Sequence, residues 1–144
     1  MKASSQQLQE TIFGLLRAIK GFMREAIRAE GLALSPMHFL MMKYVKQTAD
    51  CTALHLAEAT QRDKAQVTRL LKDLTAQGLL EKSENPGDRR SSLLSLSAEG
   101  EACYRRLAAA EEHALAQLSR GVSRKDLALF VELGQRMLAN SSAP

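Results

Sequence analysis

Residues 63–78 read DKAQVTRLLKDLTAQG, and this segment decides the fold. Asp63 precedes a helical pattern with Gln66 three residues later, which is the spacing of a capping box, and Gly78 is a suitable C-cap. The apolar residues recur at positions i, i+3, i+4 and i+7, so they share one face of a helix. These residues are Val67, Leu70, Leu71 and Leu74.

The polar residues of this helix must then point away from the core. They are Lys64, Gln66, Thr68, Arg69 and Lys72, and Arg62 precedes them in the turn. Cations and hydrogen-bonding side chains of these kinds contact phosphates and base edges in the major groove of DNA. The helix N-terminus also offers free amides to a phosphate.

A short helix precedes this segment and a β-hairpin follows it. Residues 53–60 are predicted to be helical, with Leu54, Leu56 and Ala57 facing inward, and a tight turn follows. After Gly78 the period changes, so residues 79–84 and 93–96 are predicted strands joined through the turn sequence at residues 85–88. Helix, turn, helix and hairpin together predict a winged helix-turn-helix.

The hairpin tip carries Asp88, Arg89 and Arg90. Two arginines on a short β-ribbon are suited to the negative potential of a narrow minor groove. The sequence therefore predicts double-stranded DNA as the partner, contacted by the outward face of the second helix and by the wing.

Long helices flank this region on both sides. An apolar stripe begins at Leu8 and continues to Ala26, and Ser35-Pro36 begins a second, buried helix. Ser97 is the predicted N-cap of a helix that ends near Leu118, and Ser123 caps a last helix with Phe130 on its apolar face. The fold class is therefore mainly α with a small β-hairpin wing, in a single compact domain.

Composition narrows the functional classes. The chain has 144 residues, 45% hydrophobic and 25% charged, with 4% aromatic residues and a formal net charge of +4. No apolar run approaches the length of a membrane span, and residues 1–10 lack a secretory signal, so we expect a cytoplasmic protein without membrane contact. No nucleophile with a convincing base, phosphate loop or paired-carboxylate signature occurs, which argues against an enzyme and against a cofactor.

The sequence resembles the MarR family of bacterial winged helix-turn-helix regulators. The resemblance rests on Val67-Thr68-Arg69-Leu70-Leu71, on Gly78-Leu79-Leu80-Glu81, on Asn85-Pro86-Gly87-Asp88-Arg89-Arg90 and on Leu94-Ser95-Leu96-Ser97-Ala98-Glu99-Gly100, in that order. Its strongest part covers residues 53–100. Two positions depart from common patterns: Gln61 and Arg62 stand in the turn where many helix-turn-helix proteins have glycine and an apolar residue.

The resemblance implies a homodimer that acts as a repressor at an inverted-repeat operator. Residues 1–34 and 98–144 would form the helical dimerisation region, and residues 35–97 the DNA-binding region. Asp88 would brace the wing by pairing with a nearby arginine while Arg89 or Arg90 enters the minor groove. Half-site centres would lie about 34–36 Å apart, or a multiple of that spacing.

The resemblance also implies release from DNA by a small amphipathic or phenolic effector. Candidate lining residues are Phe13, Leu16, Phe39, Met42 and Leu107. Apolar residues at helical spacing are more often core than ligand site, so packing is the competing interpretation.

Two alternatives remain open. A redox-sensing regulator would act through Cys51 or Cys103, although Asp50 beside Cys51 would raise the thiol pKa rather than lower it. A winged-helix module for an acidic protein partner is the second, because residues 62–90 carry seven basic side chains against five acidic ones. Zinc binding would need His38, His55 and His113 to converge from separate helices, so no metal site is predicted.

Overall fold

The computed structural model describes residues 2–142; Met1, Ala143 and Pro144, at the ends of the predicted dimerisation region, lie outside the described residues. Over that range the chain forms helices and one antiparallel hairpin. The elements are α1 (Ser5–Ala29), α2 (Pro36–Gln47), α3 (Ala53–Thr60), α4 (Lys64–Ala76), β1 (Leu80–Glu84), β2 (Ser92–Leu96), α5 (Ala98–Leu118) and α6 (Arg124–Ser141). This confirms the predicted fold class.

Helix α2 lies at the centre of the core. Met41 and Met42 are fully buried, because α2 packs against α4, α5 and β2 as well as α1 and α3. Leu56 from α3, Leu74 from α4 and Leu107 from α5 complete the same cluster. One continuous core therefore joins the helix-turn-helix to the long helix that leads away from it.

Ser97 and Gly78 act at the helix ends as the sequence predicts. Ser97 Oγ accepts a hydrogen bond from the Gly100 amide and donates one to the Gly78 carbonyl. Gly78 follows α4 with φ of 73°, a left-handed conformation that glycine adopts without steric cost. At the helix-turn-helix corner the same region of φ is occupied by Gln61, at 51°.

Elements α2 to β2 (residues 36–96) form one lobe, in which backbone hydrogen bonds fix the hairpin to the helices. Leu80 pairs with Leu96 and Lys82 with Leu94 in the antiparallel register. The Leu94 amide also donates to the Cys51 carbonyl at 2.8 Å, which ties β2 to the segment before α3. The wing is thus held against the helix-turn-helix at its base.

Two details of the predicted helices are wrong. Leu54 does not face inward: 55% of it is exposed, whereas Leu56 is buried and Ala57 is half-buried. Gln66 does not close a capping box, and the cap of α4 is the Asp63 carboxylate, which accepts from the Ala65 amide at 3.4 Å.

A polar and aromatic junction attaches the lobe to α5. Lys43 Nζ lies 2.6 Å from Glu111 Oε1, and the Phe39 and Tyr104 rings stack with centroids 5.7 Å apart. By contrast, no residue of α6 is buried. No helix within residues 2–142 is both long enough and apolar enough to cross a membrane.

Candidate nucleic-acid interface

Helix α4 presents one polar face to solvent. Val67, Leu71 and Leu74 are buried, and Leu70 is half-buried. The opposite face exposes four of the five residues predicted for it, namely Lys64, Thr68, Arg69 and Lys72. The apolar stripe therefore orients this face as the sequence analysis expects.

The remaining two residues predicted around this helix contact each other. Arg62 and Gln66 are both half-buried, and Arg62 Nη1 lies 3.5 Å from Gln66 Oε1. This contact orients the Arg62 side chain along the start of α4. Gln66 is therefore less available to a base edge than the fully exposed Thr68.

Hydrogen bonds through His38 join α4 to α2. His38 Nε2 lies 2.9 Å from Asp73 Oδ2, and His38 Nδ1 accepts from the Ser35 amide at 2.9 Å. Because Nδ1 accepts a hydrogen bond there, it carries no proton, and the ring donates through Nε2–H to Asp73. One carboxylate oxygen of Asp73 is thus engaged by α2, while 47% of the side chain stays exposed.

A cleft of about 560 Å³ separates α3 and α4 from the hairpin. Lys64 and Thr68 line it from α4, and Lys82 and Arg90 from the hairpin. Asp88 is the only acidic residue among the described residues that line the cleft. The concave surface between the second helix of the helix-turn-helix and the wing is therefore rich in cations, as a site for a polyanion requires.

The wing tip is held by hydrogen bonds between residues close in sequence. The Asn85 Oδ1 atom accepts from the Gly87 amide at 3.1 Å, and Asn85 Nδ2 donates to Ser91 Oγ at the same distance. Asp88 Oδ1 accepts from the Arg90 amide at 3.0 Å. The predicted pairing of Asp88 with an arginine side chain is therefore wrong: the carboxylate is satisfied by backbone two residues away, which is a common local contact for aspartate in turns.

The two wing arginines differ in their surroundings. Arg89 is 90% exposed at its side chain and lies 4.0 Å from Glu84 Oε1, a weak surface pair. Arg90 lines the cleft. Arg90 therefore faces α4, while Arg89 extends from the hairpin tip.

Sequence reasoning missed two residues on this surface. Lys82 lines the cleft from β1, opposite Leu94 in the register, and Leu54 lines it from α3. The alternation of residues along β1 is the signal for Lys82, because every second side chain of a strand shares a face. For Leu54 no signal was decisive: residues two apart lie on different sides of a helix, but the eight residues of α3 do not show whether Leu54 or Leu56 faces outward.

The five candidate effector residues are not brought together. Phe39, Met42 and Leu107 are buried in the core, whereas Phe13 is 51% and Leu16 46% exposed on the first half of α1. None of the five lines the cleft between α4 and the wing. Within one chain, three of these residues act in packing.

Neither cysteine has the surroundings of a reactive thiolate. Cys51 and Cys103 are both buried, and burial raises the pKa of each thiol. Glu30 raises the pKa of Cys103 further, against a smaller opposite effect of Arg106. Among residues 2–142 no cluster of three or more histidine, cysteine or acidic side chains suitable for a metal ion occurs.

Comparison with known proteins agrees with this geometry. Residues 34–91 match the model of the MarR family. The HTH-type transcriptional regulator BilQ of Clostridium symbiosum is 25% identical over 83 residues, which are 58% of this chain and 56% of that relative's length.

Solved structures share the whole fold. The crystal structure of MarR matches with a TM-score of 0.80 and 21% identity, over 97% of this chain and 92% of that one. A cysteine-to-serine mutant of E. coli MarR complexed with operator DNA gives a TM-score of 0.80 at 20% identity, over 91% and 93%. BpsR of Bordetella bronchiseptica, whose DNA binding is regulated by 6-hydroxynicotinic acid, gives 0.78 at 22%, over 100% and 99%.

Proposed function

This chain belongs to the MarR family, and on that premise we propose that it is a cytoplasmic transcriptional repressor that binds an inverted-repeat operator as a homodimer and is released by a small amphipathic or phenolic effector. It is a regulator and not an enzyme.

The observation that carries the DNA-binding part is the cationic cleft between α4 and the wing. Lys64 and Thr68 face it from one side and Arg90 from the other, and Arg69 and Lys72 continue the exposed surface along α4. A helix with this face fits the major groove, and the hairpin then reaches the adjacent minor groove. The match to an operator-bound relative supports the same placement.

The homodimer is supported by apolar surface that one chain leaves uncovered. Outside the lobe, large apolar side chains are exposed on α1 and from the end of α5 through α6, far more than single scattered residues. A two-fold contact between identical patches would cover them. These residues are Leu8, Ile12, Phe13, Leu16, Phe22, Leu115, Val122, Leu129, Phe130, Val131, Leu133, Met137 and Leu138.

This distribution supports the domain division proposed from the sequence. Residues 35–97 would act as the DNA-binding region, and residues 1–34 and 98–144 as the dimerisation region. Phe13 and Leu16, which are exposed in one chain, would then border an effector site formed with the partner. The regulation of BpsR by an aromatic hydroxy acid supports a ligand of that chemical class.

Selection from random duplex DNA tests the proposal. We expect an inverted repeat to be enriched, and its binding to weaken with salt by a log–log slope of about −0.9 per phosphate neutralised. Changing Arg89 and Arg90 together to alanine should weaken binding at least about tenfold and reduce that slope by about 1 to 2.

A matched control removes the same charge elsewhere. Arg124→Ala with Lys125→Ala changes two exposed cations at the start of α6 and should leave affinity for DNA within about twofold, since these two residues lie outside the proposed DNA interface. Equal losses in the two double variants would refute the wing assignment. Failure to enrich any duplex would refute DNA binding itself and favour an acidic protein partner.

A further inference from the structure

Leu54 is an exception on the surface of the lobe. Among the described residues from 23 to 114, Leu54 is the only large hydrophobic residue that is exposed, at 55%. The other exposed large hydrophobics lie on α1 from Leu8 to Phe22 or from Leu115 in the last turn of α5 onward, in the surface that we assign to the dimer. Leu54 is separate from that surface and needs another explanation.

The surroundings of Leu54 are cationic and polar. It lines the cleft near the start of α3, together with Lys64 and Thr68 of α4 and Lys82 of the hairpin. An apolar side chain among cations gains little from the core, because Leu56 already fills the buried position of α3. A ligand that carries anionic groups at its edge and an apolar group further in would contact both the cations and the exposed Leu54.

We propose that Leu54 contacts the C5-methyl group of a thymine in each half-site and so contributes to operator specificity. This inference rests on the proposed DNA-binding function. The major groove presents phosphates at its rims and, at each thymine, a methyl group on the base edge. With Lys64 and Lys82 toward phosphates, Leu54 meets the one apolar group that the groove offers.

DNA fits this surface better than a second copy of the chain. The apolar surface of α6 would bring Arg124 and Lys125 toward a cleft that is itself cationic, whereas a duplex brings complementary charge. A single exposed leucine is also too small for a stable protein interface, which needs a broad apolar patch. Leu54 is suited to one methyl group.

Replacement of thymine by deoxyuridine is the direct test, because it removes that methyl group and nothing else. The enriched duplex is prepared with each half-site thymine replaced in turn, and affinity is measured for the wild type, Leu54→Ala and Leu54→Met. At one position we expect deoxyuridine to weaken wild-type binding about threefold to fivefold, the effect of one buried methyl group. Leu54→Ala should lose that discrimination, and Leu54→Met should retain most of it.

Thr68→Ser supplies the matched control, because Thr68 is the other methyl-bearing residue of the cleft lining that is exposed, and serine removes its methyl group while keeping the hydroxyl. Discrimination that disappears in Thr68→Ser and persists in Leu54→Ala would assign the contact to Thr68 and overturn the inference. Equal discrimination in every variant, or none in the wild type, would overturn it while leaving DNA binding intact. A chain that enriches no duplex would fail the proposed function first, and the inference with it.

Discussion

The lobe and its flanking helices solve the problem of burial in different ways. From α2 to β2, a single chain supplies its own core, with Met41, Met42, Val67 and Leu74 all fully enclosed. In α6 the apolar residues are at least as frequent, yet none is buried. The same amphipathic pattern therefore predicts a helix in both regions. Only in the lobe does the surface that covers the apolar face belong to the same chain.

The two regions should draw their stability from different contacts. The lobe is stabilised by contacts within the chain, so its stability should not depend on protein concentration. The surface of α1 and α6 gains its burial only on association, so its contribution should depend on concentration. Substitutions matched between the two regions separate these contributions.

The largest effect is expected from Phe130→Asp in α6. Phe130 is 59% exposed in one chain, and burying this side chain in both copies of a dimer would contribute roughly 3–6 kcal/mol. A charge there should therefore weaken dimerisation by at least about a hundredfold, which sedimentation equilibrium measures. Operator affinity should fall with it, because both half-sites are no longer contacted together.

Gln135→Asp is the control for this change, since it adds the same charge to an exposed position of the same helix. It should leave the dissociation constant within about threefold. A dimer of unchanged affinity in Phe130→Asp would show that this face of α6 does not form the interface.

The next effect lies where α5 meets the lobe. A Cβ atom on Gly100 would stand 1.9 Å from the Leu79 carbonyl oxygen, and the obstacle is backbone that cannot move aside. Gly100→Ala should therefore lower the free energy of unfolding by about 3 kcal/mol or more, measured in urea at fixed protein concentration.

Gly134→Ala in α6 is the matched substitution, because nothing within the chain lies within 4 Å of its added Cβ. Alanine favours the helix there by up to about 1 kcal/mol, so in the Phe130→Asp background, which separates the proposed dimer, the free energy of unfolding should rise or stay constant. Equal losses at Gly100 and Gly134 would contradict the difference between the two regions.

Much of the fold is predictable because its boundaries are local. Ser35, Ser97 and Gly78 begin or end helices through contacts within a few residues, and the sequence shows those contacts directly. The inward placement of Leu54 was wrong because α3 has only eight residues, too few for periodicity to decide between Leu54 and Leu56.

The site is less predictable because it depends on distant contacts. The Leu94 amide bonds to the Cys51 carbonyl, 43 residues earlier in the chain, and this bond ties the hairpin to the segment before α3. The alternation along β1 shows which side chains share a face with Lys82, but no local pattern shows that this face lies opposite α4. Asp88 shows the reverse error, since the resemblance suggested an arginine partner and a nearby amide was available instead.

An intermediate effect is expected at the hydrogen bond between α2 and α4. Asp73→Ala leaves the nearly buried Nε2–H of His38 without its acceptor and should cost about 1 kcal/mol in the free energy of unfolding. Asp126→Ala, in the first turn of α6, should cost about 0.5 kcal/mol or less, because its contact with Ser123 is exposed. Urea unfolding of the two variants distinguishes these values, and a larger loss at Asp126 would contradict them.

The smallest effect concerns the helix-turn-helix corner, where Gln61 has a φ of 51°. Glycine adopts this conformation without the steric cost that glutamine bears, but it also has more conformational entropy in the unfolded chain. The net effect of Gln61→Gly should be a rise of about 0.5 kcal/mol in the free energy of unfolding. Gln9→Gly makes the same replacement within α1, where φ is helical, and should lower it by about 0.5–1 kcal/mol. Thermal or urea unfolding measures both changes, and opposite signs distinguish relief of strain from a general effect of glycine. A decrease in the free energy of unfolding in Gln61→Gly as large as that in Gln9→Gly would show that the corner carries no strain.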